Sequence, residues 1–417
     1  MRCTVVDSRR IGGWYSEVAR GDWIGLRVAR WRDIAGMTQQ QLADAIGVSR
    51  EYVSMIENGK RPVTKRALLY DLAAALKVNV TDLTGQPTPP RTAAERAAYI
   101  AAPAIRQALD GFDEPPQPRS LDHLADLSDW AMSARMAGDW ATLGSILPSL
   151  LAETATLAGD GAELPVGLHV QACVTAALAL KPLGVVDLAR RAAERAAMYA
   201  DQLGSPVHSA AAQYATAQTV LAGGSRRVSL AVAERAADRM QPDATGDASR
   251  AWYGLLHLHA ALSAASVGRA DDAQAHWDEA ASVATTVSGD PWRMEFTPAN
   301  VGVWRVGVAL ENGEPEQAPR YARQVDQTQL RTVQRRVRLH IDTARGLYLG
   351  NQQDAAVRAL LTADHISPQE VRTRPTVREI VGQMLRDTPT RGGSDELRDL
   401  ATRMGLDPLS PPGEGHA

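Results

Sequence analysis

The sequence predicts an all-α protein, with a small five-helix head joined by a proline-rich linker to a long stack of helical pairs. Three observations predict it. Aromatic residues are scarce at 5%, while alanine saturates stretches such as Ala189–Ala200 and Ala210–Ala217, a mixture of high helix propensity with few β-branched runs. Glycine recurs at Gly138, Gly184, Gly224, Gly268, Gly313 and Gly350, at intervals of 46, 40, 44, 45 and 37 residues, with helix-patterned sequence around it. Residues 24–84 carry the caps, turn glycines and apolar spacing of five short helices in succession. At 417 residues, 45% hydrophobic and 22% charged, the chain exceeds the roughly 250–300 residues at which one core stops growing.

The head comes first. Ile24, Val28, Trp31 and Ala35 fall on one face of a first helix, which Gly36 ends. Thr38-Gln-Gln-Gln41 forms a capping box for a second helix running to about Ile46 and burying Leu42. Gly47 is free to take positive φ in the turn, and Ser49 caps a third helix, Arg50–Asn58. That helix buries Val53 and Ile56 and leaves Arg50, Glu51, Ser54 and Met55 outside. A fourth helix, about Thr64–Leu76, covers the core, and a short turn around Val80–Leu83 completes the bundle.

The chain divides into an N-terminal extension (1–21), the head (22–85), a proline-rich linker with one helix (86–120), the repetitive body (121–405) and a tail that is disordered by composition (406–417). Gln86-Pro-Thr-Pro-Pro90 and Asp113-Glu-Pro-Pro-Gln-Pro118 cannot continue a helix, and Pro103 should kink the one between them. In the body each unit reads helix, glycine turn, helix. Such a unit buries its apolar face only by stacking on neighbours, which gives an α-solenoid.

Thr38-Gln, Leu42-Ala, Gly47-Val-Ser49 and Ile56-Glu-Asn-Gly59 together resemble the Cro/phage-repressor helix-turn-helix, or XRE family, over Ile24 to Thr84 with no gap. The body looks like tetratricopeptide (TPR) repeats, with units longer than usual and mostly without the Trp/Tyr/Pro signature. The layout is similar to the intracellular pheromone receptors of Gram-positive bacteria. It also resembles a group of actinomycete regulators that share the Arg/Ala-rich composition and the ending Arg372–Arg386 with Glu396–Gly405.

The resemblance implies sequence-specific DNA binding and transcription regulation. On this register the third helix enters the major groove and Arg50, Glu51, Ser54 and Met55 read bases, Arg50 at a guanine edge and Glu51 at cytosine N4. Thr38, Gln39, Gln40 and Ser49 aim the capped N-termini of helices two and three at phosphates, and Asn58, Lys60, Arg61 and Lys65 flank the backbone. Arg32 should face Glu57, as the family often has it. A head of this size covers half a site, so a homodimer on a pseudo-palindromic duplex is expected.

Charge agrees in direction. Residues 1–85 hold 13 Lys/Arg against 9 Asp/Glu, and the remainder is acidic, for a total of −3. In the body Asn300, Trp304 and Gly307 share one helix face, and Arg335, Arg338, Asp342 and Arg345 share another. A groove lined by Asn300, Trp304, Arg335, Arg338 and Asp342 could hold a peptide or other small effector through its carboxylate. The plainer alternative, which the sequence favours, is a Trp packed between repeats beside a solvated arginine face. The alternative for the whole chain is a protein-interaction scaffold.

No catalytic pattern emerges, so no enzyme, metal or cofactor is expected. His257-Leu-His259 points its rings apart on a helix, and His123, His169, His208, His276, His340 and His365 form no ligand cluster. Two cysteines, Cys3 and Cys173, make no disulfide framework. No apolar run approaches the roughly 18 residues of a membrane span and the first twenty lack an apolar signal core, so a cytoplasmic protein without a membrane partner is expected.

Overall fold

The structure is a computed structural model. It describes residues 23–406 apart from 89, 91–92, 112–115, 160, 291 and 388–394. The N-terminal extension with Cys3, and the tail beyond residue 406, lie outside the described residues. Every regular element among the described residues is helical.

The head contains α1 (Ile24–Ile34), α2 (Gln39–Ile46), α3 (Arg50–Glu57), α4 (Arg66–Leu76) and α5 (Val80–Thr84). Val28, Leu42, Ala43, Val53, Ile56, Leu72 and Leu83 are wholly inaccessible and form its centre. The predicted capping box is present: the Thr38 hydroxyl accepts from the Gln41 N–H at 3.1 Å, and Gln41 accepts from the Thr38 N–H at 2.7 Å. Gly47 adopts φ +70, which turns the chain from α2 into α3.

The linker helix α6 (Ala93–Asp110) runs continuously through Pro103 and is packed, with Ala101, Ile105, Ala108 and Leu109 buried. Gly144 permits that packing, because a Cβ there would stand 2.9 Å from the Ala97 carbonyl oxygen. The spacer helix is therefore part of the body.

The body continues through α7 (Leu121–Ala137), α8 (Trp140–Ala158), α9 (Glu163–Leu180), α10 (Val186–Leu203), α11 (Pro206–Ala222) and α12 (Arg226–Met240). Next are α13 (Asp247–Ser266), α14 (Ala270–Ala284), α15 (Pro298–Asn312), α16 (Gln317–Gln324), α17 (Val333–Leu349) and α18 (Gln353–Ile366). It closes with α19 (Pro368–Arg372), α20 (Pro375–Asp387) and α21 (Asp395–Met404). Consecutive helices pack antiparallel and alternate helices stack, as expected for helical repeats. The alanines face one another, with Ala189, Ala192, Ala193 and Ala196 of α10 all inaccessible, so helix axes approach closely. The turn glycines at 138, 184, 224, 268 and 313 have positive φ, whereas at the last turn Asn351 (φ 57) takes the left-handed position in place of Gly350.

One expectation is corrected. Helix α9 is long and apolar enough to cross a membrane by length and composition. It is a core helix here, with 67% of its residues buried in the body. Cys173 lies in its middle, fully inaccessible, and burial pushes its thiol up to about 12.

The superhelix turns back on itself. Helix α7, near the start of the body, packs against α17, near its end. Arg135 of α7 donates to the Arg293 carbonyl at 3.0 Å and touches the Met294 sulfur at 3.4 Å. The head docks on the rim so formed. The turn glycines at 184, 224 and 313 receive Gln86, Val80 with Tyr70, and Lys65; a Cβ on Gly184 would stand 2.6 Å from the Gln86 Cβ.

Candidate nucleic-acid interface and the interior cluster behind it

Ser49 starts α3 with extended backbone and accepts from the Tyr52 N–H at 3.2 Å. This satisfies one of the free N–H groups of the first turn and leaves its neighbours facing out. Arg50 and Glu51 are fully on the surface, and Ser54 and Met55 are half-buried on the same side. The Glu51 carboxyl is held below its ordinary range by its own backbone N–H and by Ser49, so it presents a charged acceptor. Thr38, Gln40, Ser49, Asn58, Lys60 and Arg61 are exposed around this helix.

The arrangement is rigid. Arg32 grips Glu57 with both branches, Nε to Oε1 at 2.6 Å and Nη2 to Oε2 at 3.0 Å, tying α1 to α3 as expected. The Glu57 hydrogen bond raises the Arg32 pKa further above its ordinary value. Gln39 is not free: its amide donates to Glu57 at 2.8 Å. Gln40 donates to Asp44 at 2.8 Å, and Asn58 donates to the Ser54 carbonyl at 2.8 Å, which fixes the end of α3. Arg61 lies over the Tyr52 ring at 5.3 Å, a contact the sequence reading missed. Lys65 differs from its fellows: its Nζ lies 3.0 Å from where a Gly313 Cβ would stand, so it points at the body.

The other face of the head is bound to the body. Glu379 of α20 accepts from the N–H groups of Ile24 (3.1 Å) and Val63 (3.3 Å). Arg386 donates to the Gly59 carbonyl at 3.1 Å and covers the Trp23 ring at 5.0 Å. Arg226 pairs with Asp71. Arg345, itself buried, donates to the Thr64 carbonyl at 2.7 Å and meets Glu311 at 3.3 Å, while Glu311 accepts from the Arg66 N–H at 3.3 Å.

Helices α15 and α17 bring Asn300, Trp304, Arg335, Arg338 and Asp342 to one interior region. Arg335 lies over the Trp304 ring at 5.5 Å, and Gly307 leaves room for Asp342, whose Oδ2 is 3.4 Å from a Cβ built there. The solvated-face alternative is overturned: Asp342 and Arg345 are each 2% exposed, and Arg338 and Arg345 both bond Asp342. The arginines turn inward because the superhelix closes on that side. Missed by the sequence reading were Lys181, Arg66 and Arg374, which join the same region. Lys181 donates to Gln218, which donates to the Tyr214 hydroxyl at 2.9 Å. Its signal is weak but present, a lone lysine ending an otherwise apolar helix.

His257 meets His276 at 3.0 Å, while His259 points the other way to Ser229 at 2.8 Å.

Against known proteins, the helix-turn-helix family model matches residues 28–83. That segment is similar to helix-turn-helix domains, and a helical-repeat body follows it. No curated protein matches the chain. Among solved structures, a mutant of PrgX is matched at 10% identity and a TM-score of 0.25, over 83% of this chain and 95% of that one.

Proposed function

We propose that the chain is a ligand-responsive transcription regulator acting in the cytoplasm, with no catalytic role of its own. It would bind a pseudo-palindromic duplex as a homodimer through α2 and α3. Arg50, Glu51, Ser54 and Met55 are assigned to bases, and Thr38, Gln39, Gln40, Ser49, Asn58, Lys60 and Arg61 to phosphates or to holding the frame. The observation that carries the reading is the two-sidedness of the head. Its base-reading helix is open, while its opposite face is fixed to a body that closes around a polar interior. A regulator needs both, a free reading edge and a mechanical link to a sensor. The residues Asn300, Trp304, Arg335, Arg338 and Asp342 are the proposed effector region. The scaffold reading has less support, because α7 meets α17 across the body.

The test is selection from a random duplex library with the full-length protein at fixed moderate salt. An enriched palindrome with half-sites about one helical turn apart is expected, and Arg50→Ala with Glu51→Ala should abolish it. Failure to enrich, with the full chain and with any added effector, would move the protein to the scaffold class.

A further inference from the structure

The interior region carries more positive than negative charge. Arg66, Lys181, Arg335, Arg338, Arg345 and Arg374 converge there from the head and from three parts of the body. Among the described residues, the carboxylates paired with them are Glu311, Asp342 and Glu370. Arg135 sits at the edge with Asp290, and burial and then Arg335 push its guanidinium down to about 10. Glu311 is shared between Arg66 and Arg345, Asp342 between Arg338 and Arg345, and Glu370 pairs with Arg374. Lys181 and Arg335 therefore pair with no carboxylate among the described residues. Lys181 has only the Gln218 oxygen, and Arg335 only an aromatic face and Tyr214.

Excess like charge away from water is costly unless compensated. The protein shows the strain electrostatically: burial and then Arg66, Arg338, Arg374 and Arg335 push Lys181 down to about 7, and burial pushes Arg338 to about 10. Yet Lys181, Arg66, Arg335, Arg338 and Arg374 all keep some accessible surface, so a solute can reach them. Two buried polar atoms on the facing helix lack partners, Trp304 Nε1 and Asn300 Oδ1, with Trp304 9% and Asn300 0% exposed.

We propose that this interior is the binding site of a small polyanion, phosphate-bearing or polycarboxylate, with two or three negative charges, held by Lys181, Arg335, Arg338 and the head's Arg66. The inference rests on the effector reading above and names its chemistry. Trp304 Nε1 and Asn300 Oδ1 supply one donor and one acceptor for a hydroxyl or amide on the same molecule. Because Arg66 belongs to the head, an anion bound here competes with Glu311 for it and acts directly on the seam that positions α4.

The experiment is thermal shift and calorimetric titration of the full chain with tripolyphosphate, citrate and an uncharged capped dipeptide at matched ionic strength. A saturable rise in Tm is expected with at least one of the two anions, and whichever acts identifies the source as phosphate or carboxylate. Lys181→Met and Arg335→Gln should each weaken binding at least about tenfold. Lys181→Met should also raise the Tm of the ligand-free chain, since it deletes a repelling charge; a lysine with a merely structural role gives the opposite sign. Absence of a saturable shift with both anions, or a shift that both variants leave intact, overturns the inference. A response to the dipeptide alone also overturns it, yet leaves the effector reading standing. Anion binding that leaves duplex affinity unchanged upholds the site and removes the effector reading.

Discussion

The carboxylate of Glu379 accepts a hydrogen bond from the backbone N–H of Ile24 at 3.1 Å, across 355 residues of sequence. Trp23 offers no side-chain cap to α1, so the last part of the body caps the first helix of the head. Glu379→Ala should cost about 1–3 kcal/mol at this seam, by leaving the N–H groups of Ile24 and Val63 buried and unpaired. Hydrogen exchange would report it as faster exchange at residues 24–28 and 63, with the rest of α20 protected. Unchanged exchange at those amides would refute the capping role.

Arg32 and Glu57 hold α1 to α3, and Glu57 has a side chain only 5% exposed. Arg32→Ala strands that carboxylate with Gln39 alone, and a loss of about 2–4 kcal/mol is expected. Glu57→Gln, which keeps a hydrogen-bonding amide, should cost less. Thermal melts of the two variants decide the order, and duplex binding should fall with Arg32→Ala because α3 loses its anchor.

Three turn glycines of similar conformation offer a controlled comparison. Gly268 has nothing near its missing Cβ, Gly224 has Val80 at 3.2 Å and Gly184 has Gln86 at 2.6 Å. Replacement by Ala should cost about 1–2 kcal/mol at Gly268 from the left-handed backbone alone. At Gly184 overpacking adds about 1–3 kcal/mol, and the effect should appear at the head–body seam. Equal losses at all three positions would show that the head does not rest on these turns.

Lys181 makes stability depend on pH in the ligand-free chain. Its folded pKa of about 7 lies below that of an unfolded lysine, so between pH 7 and about 10 the unfolded state binds more protons. Stability should therefore rise with pH across that window, and the burden of the charge is fully felt below it. The groups facing Lys181 are Arg66, Arg335, Arg338 and Arg374, with His259 on a neighbouring helix and Gln218 as its hydrogen-bond acceptor. Lys181→Met should flatten this part of the Tm profile; an unaltered slope would refute the assignment.

On the acid side His169 and His259 are buried neutral, with pKa values lowered to about 3 by burial. Their contribution is intact above the unfolded value of about 6.5 and is lost as pH falls toward 3. The loss should reach at most about 5 kcal/mol per histidine. Replacing His259, which bonds Ser229 and Ser263, with Gln should shift the acid unfolding midpoint downward.

The head was legible in the sequence almost to the residue, because its determinants are local. A capping box spans three residues, a turn glycine acts on its own φ, and an apolar stripe repeats within one helix. Even the Arg32–Glu57 pair could be named from a family resemblance. The helical repeat was legible for the same reason, since alanine and glycine at a recurring interval leave few other ways to bury a helix.

What the sequence by itself determined is therefore the helices, their approximate boundaries and the exposed edge of α3. The tertiary structure alone decided where the polar residues of α17 point. Arg338, Asp342 and Arg345 look like a solvated stripe on an isolated helix, and they become interior only because the solenoid brings α7 round to α17. It alone decided, too, that Lys65 and Arg66 face the body and that Lys181, Arg335 and Arg374 share one space. Those relations join residues tens to hundreds of positions apart, through the small rotation that each repeat adds to the last. A pattern of a few residues fixes a helix; a charge left without its partner is visible only when the whole superhelix has closed.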